Sequence, residues 1–172
     1  MTRGWGAVRA AILGCGLAAI GARASTLGAQ PQTTTLTVTG GSTSTFAQPG
    51  LADYVAGFID GPTITFTVSL AGGPASKTHT TSVEICATTA TLGSGKAISK
   101  LMWQPSDASK PWQSMTSSCA GAVDPTRTIA SAALGKGDSF SSGVKLRMIL
   151  DWTDTAASYG TVIAMTVNVS TP

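Results

Sequence analysis

A chain of 172 residues with 42% apolar and only 11% charged side chains has room for one domain with a sizeable core. Its formal charge of +3 rests on eleven basic residues, three of which (Arg3, Arg9 and Arg23) lie ahead of residue 30. The excess positive charge therefore belongs to the N-terminal stretch, and a nucleic-acid-binding surface is not expected. One histidine (His79) and one glutamate (Glu84) leave little material for paired acid–base chemistry.

Arg3 and Arg9 precede the apolar run AAILGCGLAAIGA, and small-x-small sites follow at Ala22-Arg23-Ala24 and Leu27-Gly28-Ala29. A positive start, an apolar stretch too short to span a bilayer and a small-residue cleavage site predict a secretory signal peptide over residues 1–29. The mature chain is then one domain, 30–172, with eight basic and eight acidic residues. It is expected in the periplasm, at the cell surface or outside the cell, with no membrane insertion after cleavage. Ile12-Leu13-Gly14-Cys15 resembles a lipobox only loosely, since cleavage there strands GLAAIGARA on the mature side.

Forty-two of residues 30–172 are Ser or Thr. Thr is β-branched and suits a pleated, half-exposed surface better than a helix. The alternation bears this out as a strand expectation. TTTLTVTG (33–40) sets Leu36 and Val38 against threonines, and only LADYVAGFI (51–59) reads as helical. TITFTVSL (63–70), bounded by Gly61-Pro62 and Gly72-Gly73-Pro74, places Ile64, Phe66, Val68 and Leu70 on one face. SVEICAT (82–88) places Val83, Ile85 and Ala87 together, with Glu84 and Cys86 on the opposite face. ISKLMW (98–103) and TRTIASAAL (126–134) are weaker strands. VKLRMILDW (144–152) aligns Val144, Leu146, Met148, Leu150 and Trp152, and TVIAMTVNV (161–169) aligns Ile163, Met165, Val167 and Val169. Strands with one apolar face must bury those faces against one another. The expected fold is all-β, an immunoglobulin-like antiparallel β-sandwich of seven to eight strands.

Cys86 and Cys119 remain after export, and an oxidising compartment predicts a disulfide between them. By strand parity, Cys86 lies on the face of Glu84, so the bridge is expected on the outer face or at a strand end. It would close a loop of about 33 residues, for roughly 3–4 kcal/mol on the chain-entropy view.

The C-terminal third adds a likeness. Asp154, Ala156 and Tyr159 resemble the tyrosine corner of immunoglobulin-like domains, with one extra residue before Tyr159 and no cysteine two residues after it. The same stretch is similar to secreted bacterial β-sandwiches of the spore-coat-U and fimbrial-subunit type. It is also similar to uncharacterised exported proteins with a Leu-x-Trp strand, a second Trp and a closing strand after a Tyr corner (here Leu101, Trp103, Trp112 and Tyr159). The resemblance implies a structural or assembly role and carries over no catalytic residue.

Chemical motifs are sparse. His79 in KTHTTS reads as a solvated loop residue. No G-x-S-x-G elbow occurs, and GSGKA (93–97) lacks the first glycine and final Ser/Thr of a phosphate loop. Ser142 and Lys145 match S-x-x-K, but on a strand they point to opposite faces. Asp151 and Asp154 lack calcium-loop spacing, and no His pair suggests zinc. Asn168-Val169-Ser170 is a glycosylation sequon inside a strand. Neither catalysis nor a metal or cofactor is expected. Trp103 and Trp152 share parity with aliphatic neighbours and are expected in the core, whereas Trp112, in a Pro-bounded loop, is the candidate ligand contact. The sequence thus points to an exported, non-catalytic structural or surface-assembly component, pilus- or coat-like or an accessory subunit of an extracytoplasmic complex. Its expected partners are proteins: further copies or a larger cell-surface complex. The alternative is a carbohydrate-binding module that contacts glycans through Trp112. The N-terminal strand is expected to complete its own sheet or to pair with a neighbour.

Overall fold

The computed structural model describes residues 32–40, 46–92, 95–118, 121–154 and 159–170. The signal peptide expected over 1–29, Cys119 and Ala156 lie outside the described residues. The rest is all-β, built of antiparallel sheets. In chain order come β1 (Gln32–Gly40), helix α1 (Leu51–Ala56), β2 (Phe58–Gly72), β3 (His79–Ala87), β4 (Thr91–Leu92) and β5 (Lys96–Ala97). A 3-10 turn over Ile98–Lys100 leads to β6 (Leu101–Pro105), β7 (Gln113–Ser114), β8 (Thr128–Leu134), β9 (Ser139–Ile149) and β10 (Ile163–Ser170).

The first sheet has the order β1-β2-β9-β6-β7 and the second β10-β3-β8, while β4 and β5 form a small ribbon. Alternation explains the packing. Ile64, Phe66, Val68 and Leu70 of β2 and Val144, Leu146 and Met148 of β9 turn inward from the first sheet. Val83, Ile85, Met165 and Val167 turn inward from the second, and all belong to one buried cluster. Full burial of each such side chain stabilises by about 1.5–3 kcal/mol before entropy offsets it. The ladder between β2 and β9 shifts register between Asp60 and Thr63. Pro62 lies in that step and has no N–H to offer the ladder, so a bulge is the local solution.

Helix α1 realises only the front of the helical stretch. Gly50 N–H donates to Asp53 Oδ2 at 2.8 Å, and Gly57 closes the far end at φ +78°, a left-handed value that favours glycine. Phe58 already belongs to β2.

β3 is the centre of its sheet, and both of its faces are covered. Cys86 is 3% and Glu84 1% exposed, so their face of β3 is covered and not open to solvent as an outer face would be, while Cys86 is the last residue but one of the strand. The reason is tertiary: the chain around Asp124–Arg127 lies over that face and bonds to it. Thr81 faces the core, is fully buried and has no hydrogen-bond partner for its hydroxyl among the described residues. Thr81→Val keeps the shape and removes the orphaned oxygen. It is expected to raise stability by about 1 kcal/mol, as read from the urea midpoint.

Candidate functional site

Two arrangements set this chain apart from a plain all-β domain: a buried polar knot on β3, and long outermost strands that carry neither charge nor proline.

Glu84 anchors the knot. Its Oε1 accepts the Asp124 N–H at 2.8 Å and faces the Arg127 guanidinium at 3.3–3.4 Å. Its Oε2 accepts the Asn168 side-chain amide at 2.6 Å. Four donors from the loop before β8 and from β10 thus converge on one carboxylate of β3. Arg127 also reaches the Ala122 carbonyl. The arrangement satisfies a buried charge and ties the loop, β3 and β10 together. Asn168, the sequon residue, is committed to this contact.

His79 is likewise placed differently from the sequence expectation. It is the first residue of β3 and only 5% exposed. The Gln32 amide lies 2.6 Å from Nε2, and Nδ1 lies 3.3 Å from the Ser170 carbonyl. A carbonyl only accepts, so Nδ1–H donates to Ser170 and Nε2 accepts from Gln32. The ring therefore joins the starts of β1 and β3 to the end of β10.

The tryptophans divide in an unforeseen way. Trp103 is core, at 1% exposure. Trp152, expected in the core, is 66% exposed. β9 ends at Ile149, so strand parity no longer governs the residue three positions later. Trp152 instead stacks on Tyr54, with ring centroids 5.1 Å apart. Trp112, the candidate ligand contact, is half-buried. The Arg147 guanidinium lies 4.3 Å from its centroid and 3.7 Å from that of Phe58, while pairing with Asp60 at 2.6 and 3.0 Å. The guanidinium thus occupies one face of the indole.

Three exposed turn aspartates are held below the ordinary carboxylate range by hydrogen bonds. Asp107 is lowered by the Ser109 N–H, Asp124 first by the Thr126 hydroxyl, and Asp151 first by the Thr153 N–H. These are turn-forming contacts, in which an Asx side chain bonds two residues ahead. Among the described residues no group of three or more His, Cys, Asp or Glu side chains is placed to hold a metal ion. No described helix is long and apolar enough to cross a membrane. A shallow polar cleft of about 340 Å³ opens between the Asp107–Lys110 loop and residues 128–131 of β8. Lys110 Nζ there donates to the carbonyls of Pro125 and Thr128.

That cleft borders one of three long edge strands. β1, β10 and β8 close their sheets and contain no charged residue and no proline. Hydrogen-bond alternation tells which groups each edge leaves open. Thr88 N–H donates to the Val162 carbonyl, so even-numbered residues of β3 bond to β10, and β10 turns the main-chain groups of Ile163, Met165, Val167 and Val169 outward. Odd-numbered residues of β3 bond to β8, beginning with Ile85 N–H to Arg127 O, which leaves Ser131 and Ala133 open. On β2, Leu70 N–H donates to the Asp138 carbonyl and Leu70 C=O accepts from the Gly137 N–H, in the turn that leads into β9. The odd-numbered residues of β2 therefore bond to β1, and β1 turns Thr34, Leu36 and Val38 outward.

The fold defines an all-β domain of antiparallel sheets whose outermost long strands carry neither charge nor proline. No protein-family model, curated protein or solved structure matches the chain.

Proposed function

We propose that this protein is an exported, non-catalytic structural or surface-assembly component with an immunoglobulin-like β-sandwich fold, which associates with further copies or with a larger cell-surface complex through strand addition at its sheet edges. One observation carries the reading: β1, β8 and β10 are nine, seven and eight residues long and carry no Lys, Arg, Asp, Glu or Pro. Stable monomers blunt such edges with charges, prolines or bulges, because an open ladder of N–H and C=O groups recruits other strands. The β1 and β8 ladders each shift register once, near an end, and the remaining lengths of the three edges carry neither charge nor proline, which suits edges covered by a partner. The expected signal peptide fits the same reading.

Blocking the edges tests it. Thr34→Pro, Ala133→Pro and Val169→Pro each remove an N–H that faces outward and leave the internal ladder intact. Under the proposal, light scattering after size exclusion shows concentration-dependent oligomers for the parent chain, and at least one of these variants lowers their mass. A parent chain that stays monomeric at every concentration sinks the reading. The carbohydrate-binding alternative through Trp112 is the weaker one, because Arg147 covers one face of that ring.

A disulfide between Cys86 and Cys119 belongs to the same proposal. Ala87 N–H donates to the Thr116 carbonyl at 2.8 Å, so the chain leading to Cys119 runs beside the buried Cys86. Non-reducing peptide mapping is expected to recover the two cysteines in one linked peptide, and reduction to lower stability by roughly 3–4 kcal/mol. Two free thiols would contradict it.

A further inference from the structure

Arginine supplies the cation in the ion pairs of Asp60, Glu84 and Asp124. A guanidinium stays charged and is no nucleophile. The pair between Lys96 and Asp154 differs in kind, because an amine that gives up a proton can attack a carboxyl carbon. It is also well covered. The two side chains are 7% and 13% exposed, and the Tyr159 ring lies over Lys96 Nζ with its centroid 5.6 Å away.

The carboxyl group is held in place. Asp154 stands in the turn beyond β9, where its N–H donates to Asp151 O at 2.9 Å. The Asp151 N–H returns a hydrogen bond to Asp154 Oδ2 at 2.8 Å. The same Oδ2 is the atom that Lys96 Nζ meets. Cγ is one covalent bond further on, so the amine and the carbon it would attack are kept together by the fold. Fixing two reactants in this way turns a bimolecular condensation into an intramolecular one. Burial favours the product, because a covered ion pair keeps two poorly hydrated charges whereas a neutral amide keeps none.

We infer that Lys96 and Asp154 join in an intramolecular isopeptide bond, formed by the folded chain itself. The ammonium passes one proton to Oδ2, which leaves a neutral amine beside a neutral carboxyl. Nζ then forms a bond to Cγ. A second proton moves from the nitrogen to Oδ2, the Cγ–Oδ2 bond breaks, and one water departs. Oδ1 remains as the amide carbonyl and Nζ keeps one hydrogen. Nothing is oxidised or reduced, and no co-reactant is needed. Asp151 is the positioning residue, acting through its main-chain N–H.

The link has a structural use. It joins residues 58 positions apart, from β5 to the turn beyond β9. The β4–β5 ribbon pairs with neither larger sheet, and the bond would fasten it to the body of the domain. Unlike a disulfide, it survives reduction. It is independent of strand addition at the sheet edges, so the two readings stand or fall separately.

The test is the intact mass of the mature chain after its cysteines are reduced and alkylated. The parent is expected to weigh one water less than its sequence. Protease digestion should yield a branched peptide that joins the segment around Lys96 to the segment around Asp154. Lys96→Arg keeps a cation for the ion pair but offers no amine. Its mass should equal that of its own sequence, and its thermal melting should fall below that of the parent. Asp154→Ala should likewise carry its full mass. A parent with its full sequence mass, and the two segments in separate peptides, overturns the inference. So does a loss of water that persists in Lys96→Arg, which would place the dehydration elsewhere, as in ring closure of an aspartate on its own backbone. The mass of the parent decides the matter even where a variant fails to fold.

Discussion

Glu84→Ala is expected to cost about 3–5 kcal/mol, the range for breaking a buried charge cluster by removing one partner. The carboxylate is 1% exposed and is met by the Asp124 main chain, the Asn168 amide and the Arg127 guanidinium. With it gone, a main-chain donor and an amide lose their acceptor, and Arg127, whose side chain is only 13% exposed, keeps its charge beside Asp124 alone. Glu84→Gln preserves volume but brings an NH2 group where donors already converge, so it should recover only part of the loss. Urea denaturation of both variants reads the difference. A change below about 1 kcal/mol for the alanine variant would mean that water replaces the knot at little cost. Arg127→Met complements the test, because it leaves the buried Glu84 charge with only its two neutral donors, and its cost should be comparable to that of Glu84→Ala.

Deletion of residues 30–40 is the second large effect, and the structure sharpens what it should do. β1 lies in full antiparallel register along β2, from Gln32 opposite Gly72 to Val38 opposite Phe66. Leu36 and Val38 are half-buried against the core, and Gln32 reaches His79. Losing two half-buried aliphatic contacts lowers stability by on the order of a few kcal/mol. Circular dichroism should still show a β-rich fold, because β2 keeps its ladder with β9. The deletion also uncovers the N–H and C=O groups of Thr67, Ser69 and Ala71, a fresh edge that lacks charge. Association is therefore expected to change more than secondary structure, with addition of a synthetic peptide of residues 30–40 restoring the parent behaviour. A truncated chain without β signal, or one whose mass in solution equals that of the parent at all concentrations, would contradict this.

Much of the strand layout was open to reading from residues alone. β1, β2, β3, β9 and β10 coincide with stretches where apolar side chains recur at every second position, and β8 with a stretch read as a weaker strand. That period is a property of the extended backbone itself, so it survives without knowledge of neighbours. Turn chemistry was equally local: Gly72, Gly73 and Pro74 end β2, as their dihedral preferences require. Strands of two residues, such as β4, β5 and β7, left no such trace, since two positions cannot display a period. They exist because neighbouring chain happens to present a ladder.

What a period cannot say is which face meets water, and each misplacement arose there. The alternation of β3 separates Val83 and Ile85 from Glu84 and Cys86, but only the chain around Asp124–Arg127 folding over that second face buries it. His79 is polar and flanked by Lys77 and threonines, and only the approach of Gln32 and Ser170 makes it an internal residue. Trp152 continues the parity of β9 on paper, yet the strand stops at Ile149 and the Asp151–Asp154 turn points the ring outward. The bare edges combine both levels. That β1, β8 and β10 lack charge and proline is written in the sequence. That these three, and not the equally apolar β2 or β9, lie outermost is decided by sheet order, which depends on pairings between residues dozens of positions apart.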